Sequence, residues 1–485
     1  LAQSTKLFAL ACACVLALTS AFSFGANSPP AQDEYDVVLA GGRVIDPESG
    51  LDQVRNLGIS GGKIRAISER PLKGRASFNC AGLVVAPGFI DLHAHGVNEE
   101  NNRFQAMDGV TTALELEGGA ADIDQWYSAR EGKSLINYGV SAGHGAVRTK
   151  VMRAGAVSKE ATDEQIAEMR REIARGLERG AVAVGFGIQY TPGASRWEIQ
   201  EMFRAAAAAG ASCHPHIRHA GAKEPESSIT ALEEVIAAAA ITGAPLHVVH
   251  ITSSGIGNTP RLLQMIKEAR SRGLDVTTEC YPYTAAMTGL QSAIFDEGWQ
   301  QKLGIDYKDL QWVATGERLT AETFAEYRKA GGMVVIHLIP ETMVRTAVAD
   351  PTVMIASDGL IVNGKGHPRG SGSYARVLGR YVRTERALSL IDALRKMSLM
   401  PAKRLERRAP QMKDKGRIRA GADADIVVFD PLTISDTSSY EEPAKYSTGM
   451  KYVLVNGVFV VKDGALQSDV APGRAIRAPI KQQSN

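Results

Sequence analysis

The stretch PGFIDLHAHG, residues 87 to 96, ends an apolar run with two histidines one residue apart. Strand side chains alternate between faces, so a strand over 89–95 points Phe89, Asp91, His93 and His95 one way and Ile90 and Leu92 the other. Neighbours on one face lie about 7 Å apart, and two imidazoles at that separation can turn onto one metal ion at about 2.1 Å. A pair of hydrogen-bonded histidines beside a turn has the same spacing, so the rest of the chain must decide.

Ten histidines are present, and nearly all stand at the ends of apolar runs. His216 in SCHPHIRH and His250 in LHVVHITSSG close two of them. His247, three positions before His250, is expected to face the opposite way and pack on a helix. His214 shares the face of His216 but is expected deeper, as a core histidine, with His219 in the following loop. Asp358 follows the apolar run of VMIASDG, and a buried carboxylate there needs a partner. A helix N-cap would be the plainer role. Glu115 and Glu117 in TTALELEGG share a strand face. Four neutral imidazoles around two divalent ions leave positive charge uncompensated, and a carboxylate between the ions would offset it and fix their separation. Together these residues point to a metal centre with a metal-linked acid.

The elements that must hold this set follow from the pattern. Between residues 88 and 414 apolar strands alternate with helical stretches such as TDEQIAEMRREIARGLERG and PRLLQMIKEARSRG, the texture of a parallel α/β fold, with a less regular insertion at about 290–350. Histidines and acids at the strand ends favour a closed (β/α)8 barrel, whose active sites lie at that face, over a doubly wound sheet. Residues 36–87 and 415–475 instead carry short β-branched runs broken by Gly-Gly and Pro, or by the tight-turn signal VNGV. Two such segments are expected to complete one β-sandwich.

The chain has 485 residues, 44% hydrophobic and 22% charged, with a formal net charge of +2. No basic stripe with interleaved aromatics offers a nucleic-acid surface, so a small-molecule substrate is expected. Lys6 and the apolar run 7–24 before GANSPPAQDE read as a secretory signal peptide over residues 1–25. The expected product is periplasmic or secreted, without stable membrane association unless the run stays uncleaved as an anchor. Beyond that run only Cys80, Cys213 and Cys280 remain, an odd number with no disulfide pattern.

In order along the chain, AGGRVIDPESG, APGFIDLHAHG, DGVTT, GHGAVR, GAVAVGFGIQYTPG, HIRH, DVTTECYPYT, ASDG, GHPRGSGSYARVLGRYVR and GRIRAGADADIVVFDP resemble the amidohydrolase superfamily, in its D-aminoacylase branch. The resemblance implies a TIM-like barrel flanked by a β-sandwich built from both terminal segments, and one or two zinc ions per chain. It places His93 and His95 on one metal, His216 and His250 on the other, and Asp358 as ligand and proton shuttle. In the branch a cysteine bridges the metals; a gapless match puts Gly118 there, and Glu117 is taken as the bridge with Glu115 second. A lysine that helps grip the substrate carboxylate in the branch is Thr252 here. Tyr283 and Arg376 match other carboxylate-holding positions, and Tyr190, Arg218, His367 and Arg369 are further pocket candidates. The implied activity is cleavage of N-acyl amino acids, the D series foremost, to a carboxylate and a free amino acid. Hydrolysis of a cyclic amide or a dipeptide by the same centre is the alternative, and a non-catalytic binding protein the second.

Overall fold

The computed structural model describes residues 34–481, so the expected signal peptide lies outside the described residues. The first segment forms β1 (Tyr35–Asp46), β2 (Leu51–Ser60), β3 (Lys63–Ser68), β4 (Gly74–Asn79) and β5 (Val84–Pro87). The central segment forms β6 (Phe89–Asp91), β7 (Val110–Ala120), β8 (Asn137–Gly143), β9 (Ala183–Gly187), β10 (Ser212–His216), β11 (Leu246–Val248) and β12 (Val276–Cys280). Next come β13 (Ala285–Gly289), β14 (Leu310–Trp312) and β15 (Met333–His337), then β16 (Val353–Ile355) and a small hairpin, β17 (Ile361–Val362) and β18 (Lys365–Gly366). The last segment supplies β19 (Ile426–Phe429), β20 (Met450–Val455), β21 (Val458–Lys462) and β22 (Ala465–Leu466).

β6 to β12 and then β16 pair side by side in chain order, all parallel, with helices between them. Parallel neighbours joined through helices are the (β/α)8 arrangement the alternation predicts. The barrel closes just beyond the strands. Asp358 N–H donates to the His93 carbonyl at 2.8 Å and His95 N–H to the Gly359 carbonyl at 3.0 Å. Below them, Asp91 accepts from the Ser357 backbone at 3.0 Å. The seam between first and last strand therefore runs through the residues that the sequence marks for chemistry.

The two terminal segments join into a β domain, as expected, through antiparallel pairing of β5 with β19. Their nine strands form one continuous sheet, and its inner residues alternate. Val85, Ile426, Val428 and Leu454 enter the domain's own core, while Val84, Ala86, Val427, Phe429 and Val453 join the large core that includes the barrel. A period of two thus lets each strand serve two interfaces. Asp425 locks them together, accepting from Lys415 at 2.6 Å, Asn137 at 2.9 Å and the Asn456 backbone at 2.6 Å.

The less regular insertion resolves into a separate three-stranded antiparallel sheet, ordered β13-β15-β14. It has its own core, in which Phe295, Trp299, Trp312 and Phe324 pack with Leu290 and Val334. Among the described residues no helix is long and apolar enough to cross a membrane.

Candidate metal centre

β6 ends at Asp91, and His93 and His95 follow in the closing segment, where His93 bridges to Glu115 and Ala94 to Gly359. The expected strand 89–95 is shorter by four residues, yet both imidazoles face the barrel mouth, with Nε2 atoms 3.2 Å apart. His216 ends β10. His250 lies two residues past β11 and Asp358 three past β16, at φ +34° and +50°. Positive φ is uncommon outside glycine, and non-glycine residues held there cluster at functional sites.

Glu117 stands between the two histidine pairs. Its Oε2 lies 3.3 Å from His93 Nε2 and 3.2 Å from His95 Nε2, and its Oε1 lies 2.9 Å from His216 Nδ1 and 3.5 Å from His250 Nε2. The backbone explains how it gets there: β7 pairs with β8 at Glu115 and next at Ala120, so the intervening residues bulge. The bulge needs its two glycines. A Cβ on Gly119, at φ +66°, would sit 2.4 Å from Ser141 Oγ, and one on Gly118 would sit 3.0 Å from Glu115 Oε1. Glu115 meets the far nitrogen of His95, its Oε1 being 3.1 Å from Nδ1. Of the two glutamates, Glu117 stands between the histidine pairs and Glu115 behind His95. Asp358 Oδ1 completes the group, 3.3 Å from His95 Nε2 and 3.5 Å from His93 Nε2.

Three sets of donors lie close enough to share an ion, each within 4.8 Å: His93, His95 and Glu117; Glu117, His216 and His250; and His93, His250 and Asp358. Each imidazole has its outer nitrogen held. Glu279 Oε1 lies 2.7 Å from His93 Nδ1, Gln189 Oε1 lies 2.7 Å from His216 Nε2, and Ser254 Oγ lies 3.2 Å from His250 Nδ1. Such contacts fix which nitrogen is left with a free lone pair, here Nε2 of His93, His95 and His250 and Nδ1 of His216.

The charges fit a dication. Burial pulls the His93 imidazole down, but Asp358 and Glu117 overcome it and raise the group to about 10. Burial likewise pulls His95 down, and Glu115 foremost holds it well above the ordinary value. Burial pushes Glu117 up, yet hydrogen bonds from His216, His250 and His93 keep it well below the carboxylate range. Asp358 is also held low against burial, mainly by Arg369, whose Nη1 lies 2.9 Å from Oδ2. Buried carboxylates that press positive charge onto imidazoles are suited to divalent ions, which would replace those protons. Imidazole and carboxylate donors together are a set that zinc accepts.

The centre opens into a cavity of about 260 Å³. Its floor includes His95, Glu117, His216, His250 and Asp358, with Tyr190 and Arg369 at the side, and its roof is the insertion's Met287, Ile294, Leu303, Met333, Ile336 and Leu338. Tyr190 and Arg369 therefore stand where the sequence expectation put them. Arg218, Tyr283, His367 and Arg376 do not line this cavity. Arg218 grips Glu234 with two nitrogens, at 2.8 and 2.6 Å, beside an adjoining chamber. Arg376 spends its guanidinium on Asp436 at 2.8 Å and the Pro282 carbonyl at 2.8 Å, and the Tyr283 hydroxyl reaches Pro368 O at 3.3 Å and Asp436 at 3.5 Å. His367 bonds the Ala285 carbonyl at 2.9 Å and accepts from the Arg369 backbone at 3.0 Å. These contacts tie the barrel to the residue 436 loop and to β13, so Tyr283 and Arg376, expected to hold a substrate carboxylate, stand outside the cavity. Thr252 is buried, and its hydroxyl has no partner among the described residues.

His247 needs the largest correction. The expectation carried strand alternation through to His250, but β11 stops at Val248 and the left-handed turn at His250 breaks the alternation. His247 consequently points inward, its Nε2 lying 3.0 Å from Glu279 Oε2, with its ring 4.7 Å from that of His214. His214 is the buried, deeper histidine expected. Glu279 on β12, which joins His247 to His93, is a site residue that the sequence reading missed; its only signal was an acid in the otherwise neutral strand VTTEC.

Comparison with known proteins agrees with this fold. Residues 77–461 match the model of the amidohydrolase family. An N-acyl-D-glutamate deacylase of Alcaligenes xylosoxydans xylosoxydans is 31% identical over 92% of this chain and 97% of its own length. A D-aminoacylase of the same organism is 30% identical over 91% and 97%. The crystal structure of N-acyl-D-glutamate deacylase from Bordetella bronchiseptica, complexed with zinc and a phosphonate inhibitor, superposes with a TM-score of 0.80 at 28% identity, covering 92% of this chain and all of that one. From the ordered motifs, the barrel with its β domain, and this similarity over nearly its whole length, the chain belongs to the amidohydrolase family.

Proposed function

We propose that this protein is a metal-dependent hydrolase that cleaves the amide bond of N-acyl amino acids, with the D series as its substrates, to a carboxylate and a free amino acid. The observation that carries the reading is Glu117, one oxygen turned to His93 and His95 and the other to His216 and His250. We assign these five residues and Asp358 as the ligands. Held there, one or two zinc ions supply Lewis acidity toward the carbonyl oxygen and toward the attacking water.

The chain's own groups do the rest. Asp358 is kept ionised by Arg369, so it is ready to take a proton from water at the cavity floor and deliver it to the leaving nitrogen. Glu279, Glu115, Gln189 and Ser254 hold the four imidazoles in orientation. The apolar roof covers the floor and limits competing water. Support for the substrate class comes from the deacylases named above and from a cavity sized for a small acylated amino acid.

The test is an assay of the purified protein on paired N-acetyl-D- and N-acetyl-L-amino acids, before and after dialysis against a chelator and after zinc is restored. Hydrolysis of the D series that disappears with the metal and returns with it is the expected result. Full activity in verified metal-free protein would sink the metal reading, and turnover of cyclic amides or dipeptides alone would move the substrate class to the alternative.

A further inference from the structure

The cavity at the metal centre has a counterpart at the opposite end of the barrel. Ser212 opens β10 and Thr277 stands second in β12, and both line a space of about 360 Å³ at the N-terminal ends of these strands. Its outer wall is basic. Arg270, Lys403, Arg404, Arg407 and Arg408 line it, against two acids, Asp275 and Glu406. Both acids are already engaged. Asp275 takes the Arg404 guanidinium at 2.6 and 3.3 Å, and Glu406 lies 3.2 Å from Arg417, which does not line the cavity. Five cations against two acids leave three positive charges in excess around one small space, and the low-dielectric walls of a cleft focus such a field.

Residues at this end of a barrel usually serve stability, and Arg408 does so by donating to the carbonyls of Leu177, Ala181 and Ala209. Arg270 and Arg407 do not. Both are exposed, and neither side chain has a hydrogen bond or ion pair among the described residues. Lys403 reaches Glu48 at 3.8 Å. Arg404 differs again: its side chain is 4% exposed, and while its Nη atoms hold Asp275, its Nε is buried without a partner. A buried donor left unpaired costs free energy until something accepts from it. Guanidinium groups gathered around one space suit phosphate and carboxylate groups, which they grip with two nitrogens at once.

We propose that this cavity is a binding site for a compact polyanion carrying two or three phosphate or carboxylate groups, held chiefly by Arg270, Arg404 and Arg407. Three excess charges match such a ligand, whereas a singly charged N-acyl amino acid would leave most of them uncompensated. The space has the size of a small-molecule site. It lies at the far end of the barrel from the metal centre and shares no lining residue with the cavity there.

The test titrates fructose 1,6-bisphosphate and citrate separately into the full-length protein by calorimetry at low ionic strength, with acetate as the singly charged control. Each titration is repeated after dialysis against a chelator, because an anion captured at the metal centre would be lost with the metal. One site per chain is expected for at least one of the two polyanions, retained after dialysis and weakened by salt. Which of them binds tells phosphate from carboxylate. Arg270→Ala and Arg407→Ala, both at exposed positions where the fold is not at stake, should each weaken binding by about tenfold or more, the effect of one charged hydrogen bond. Arg75→Ala, which removes an exposed arginine of β4, should leave it unchanged. Binding of neither polyanion, acetate binding as well as they do, affinity unmoved in Arg270→Ala and Arg407→Ala, equal losses in all three variants, or binding that vanishes with the metal would each overturn the proposal.

Discussion

On the floor of the cavity, imidazoles and carboxylates project from the ends of barrel strands; on its roof, aliphatic and thioether side chains project from an inserted sheet. The floor is fixed by backbone pairing. Glu117 depends on the β7 bulge and its glycines, and Asp358 depends on the seam that joins it to His93. The roof is fixed by its own aromatic core, which shares few side chains with the barrel. One layer therefore tolerates no change without loss of chemistry, while the other can change what the cavity admits and leave the chemistry intact. That separation lets a shared barrel serve different substrates.

Substitutions in the two layers should part company sharply. On the floor, Asp358→Asn should keep the fold and lower turnover by about a hundredfold or more, the usual range for a general acid–base group. Glu117→Ala should lose at least one ion as well as most activity, and Glu117→Cys should recover part of both. An Asp358→Asn variant that binds metal and turns over normally would place the base elsewhere. On the roof, Met287, Ile294, Leu303, Met333, Ile336 and Leu338 offer no cationic side chain, so acidic substrate side chains should be poorer than apolar ones of similar size. Met333→Arg should then raise the relative kcat/KM for N-acetyl-D-glutamate over N-acetyl-D-leucine by about tenfold, about the effect of one charged hydrogen bond. An unchanged ratio would show that side chains do not reach the roof.

Smaller effects sharpen the boundary between the layers. Arg376→Met should leave KM within about threefold and cost about 1–2 kcal/mol of stability, because it strands Asp436 in a pair that is only partly exposed. A large rise in KM at unchanged stability would instead restore Arg376 to the carboxylate-holding role that its motif suggests. Thr252→Val removes a buried hydroxyl without a partner and should change stability by less than about 1 kcal/mol, read from urea unfolding.

How much of this was legible in sequence follows the same division. Histidines at the ends of β-branched runs report their place directly, because a strand's end in a parallel barrel is its catalytic end. His93, His95, His216, His250 and Asp358 were readable for that reason. The terminal β segments were readable from β-branched runs broken by Gly-Gly, Pro and tight-turn signals. What escaped was every relation set by a break in periodicity or by a partner far along the chain. His247 was misplaced by the left-handed turn at His250, and the partner of Arg376 lies 60 residues on, in a loop with no pattern of its own. The insertion looked irregular because its strands are short and pair out of chain order, so neither length nor spacing announced a sheet.

The seam between the first and last barrel strands has a further consequence. Asp91 and Ser357 are 266 residues apart in sequence, and directly above their contact Asp358 donates its backbone N–H to His93. An ion shared by the side chains of His93 and Asp358 would rivet the two ends of the barrel wall, so its binding energy would also be energy of ring closure. Chelation should accordingly loosen one joint before the others. Amide hydrogens at residues 94–95 and 356–359 should exchange faster in metal-free protein, while those between β9 and β10 hold their rate.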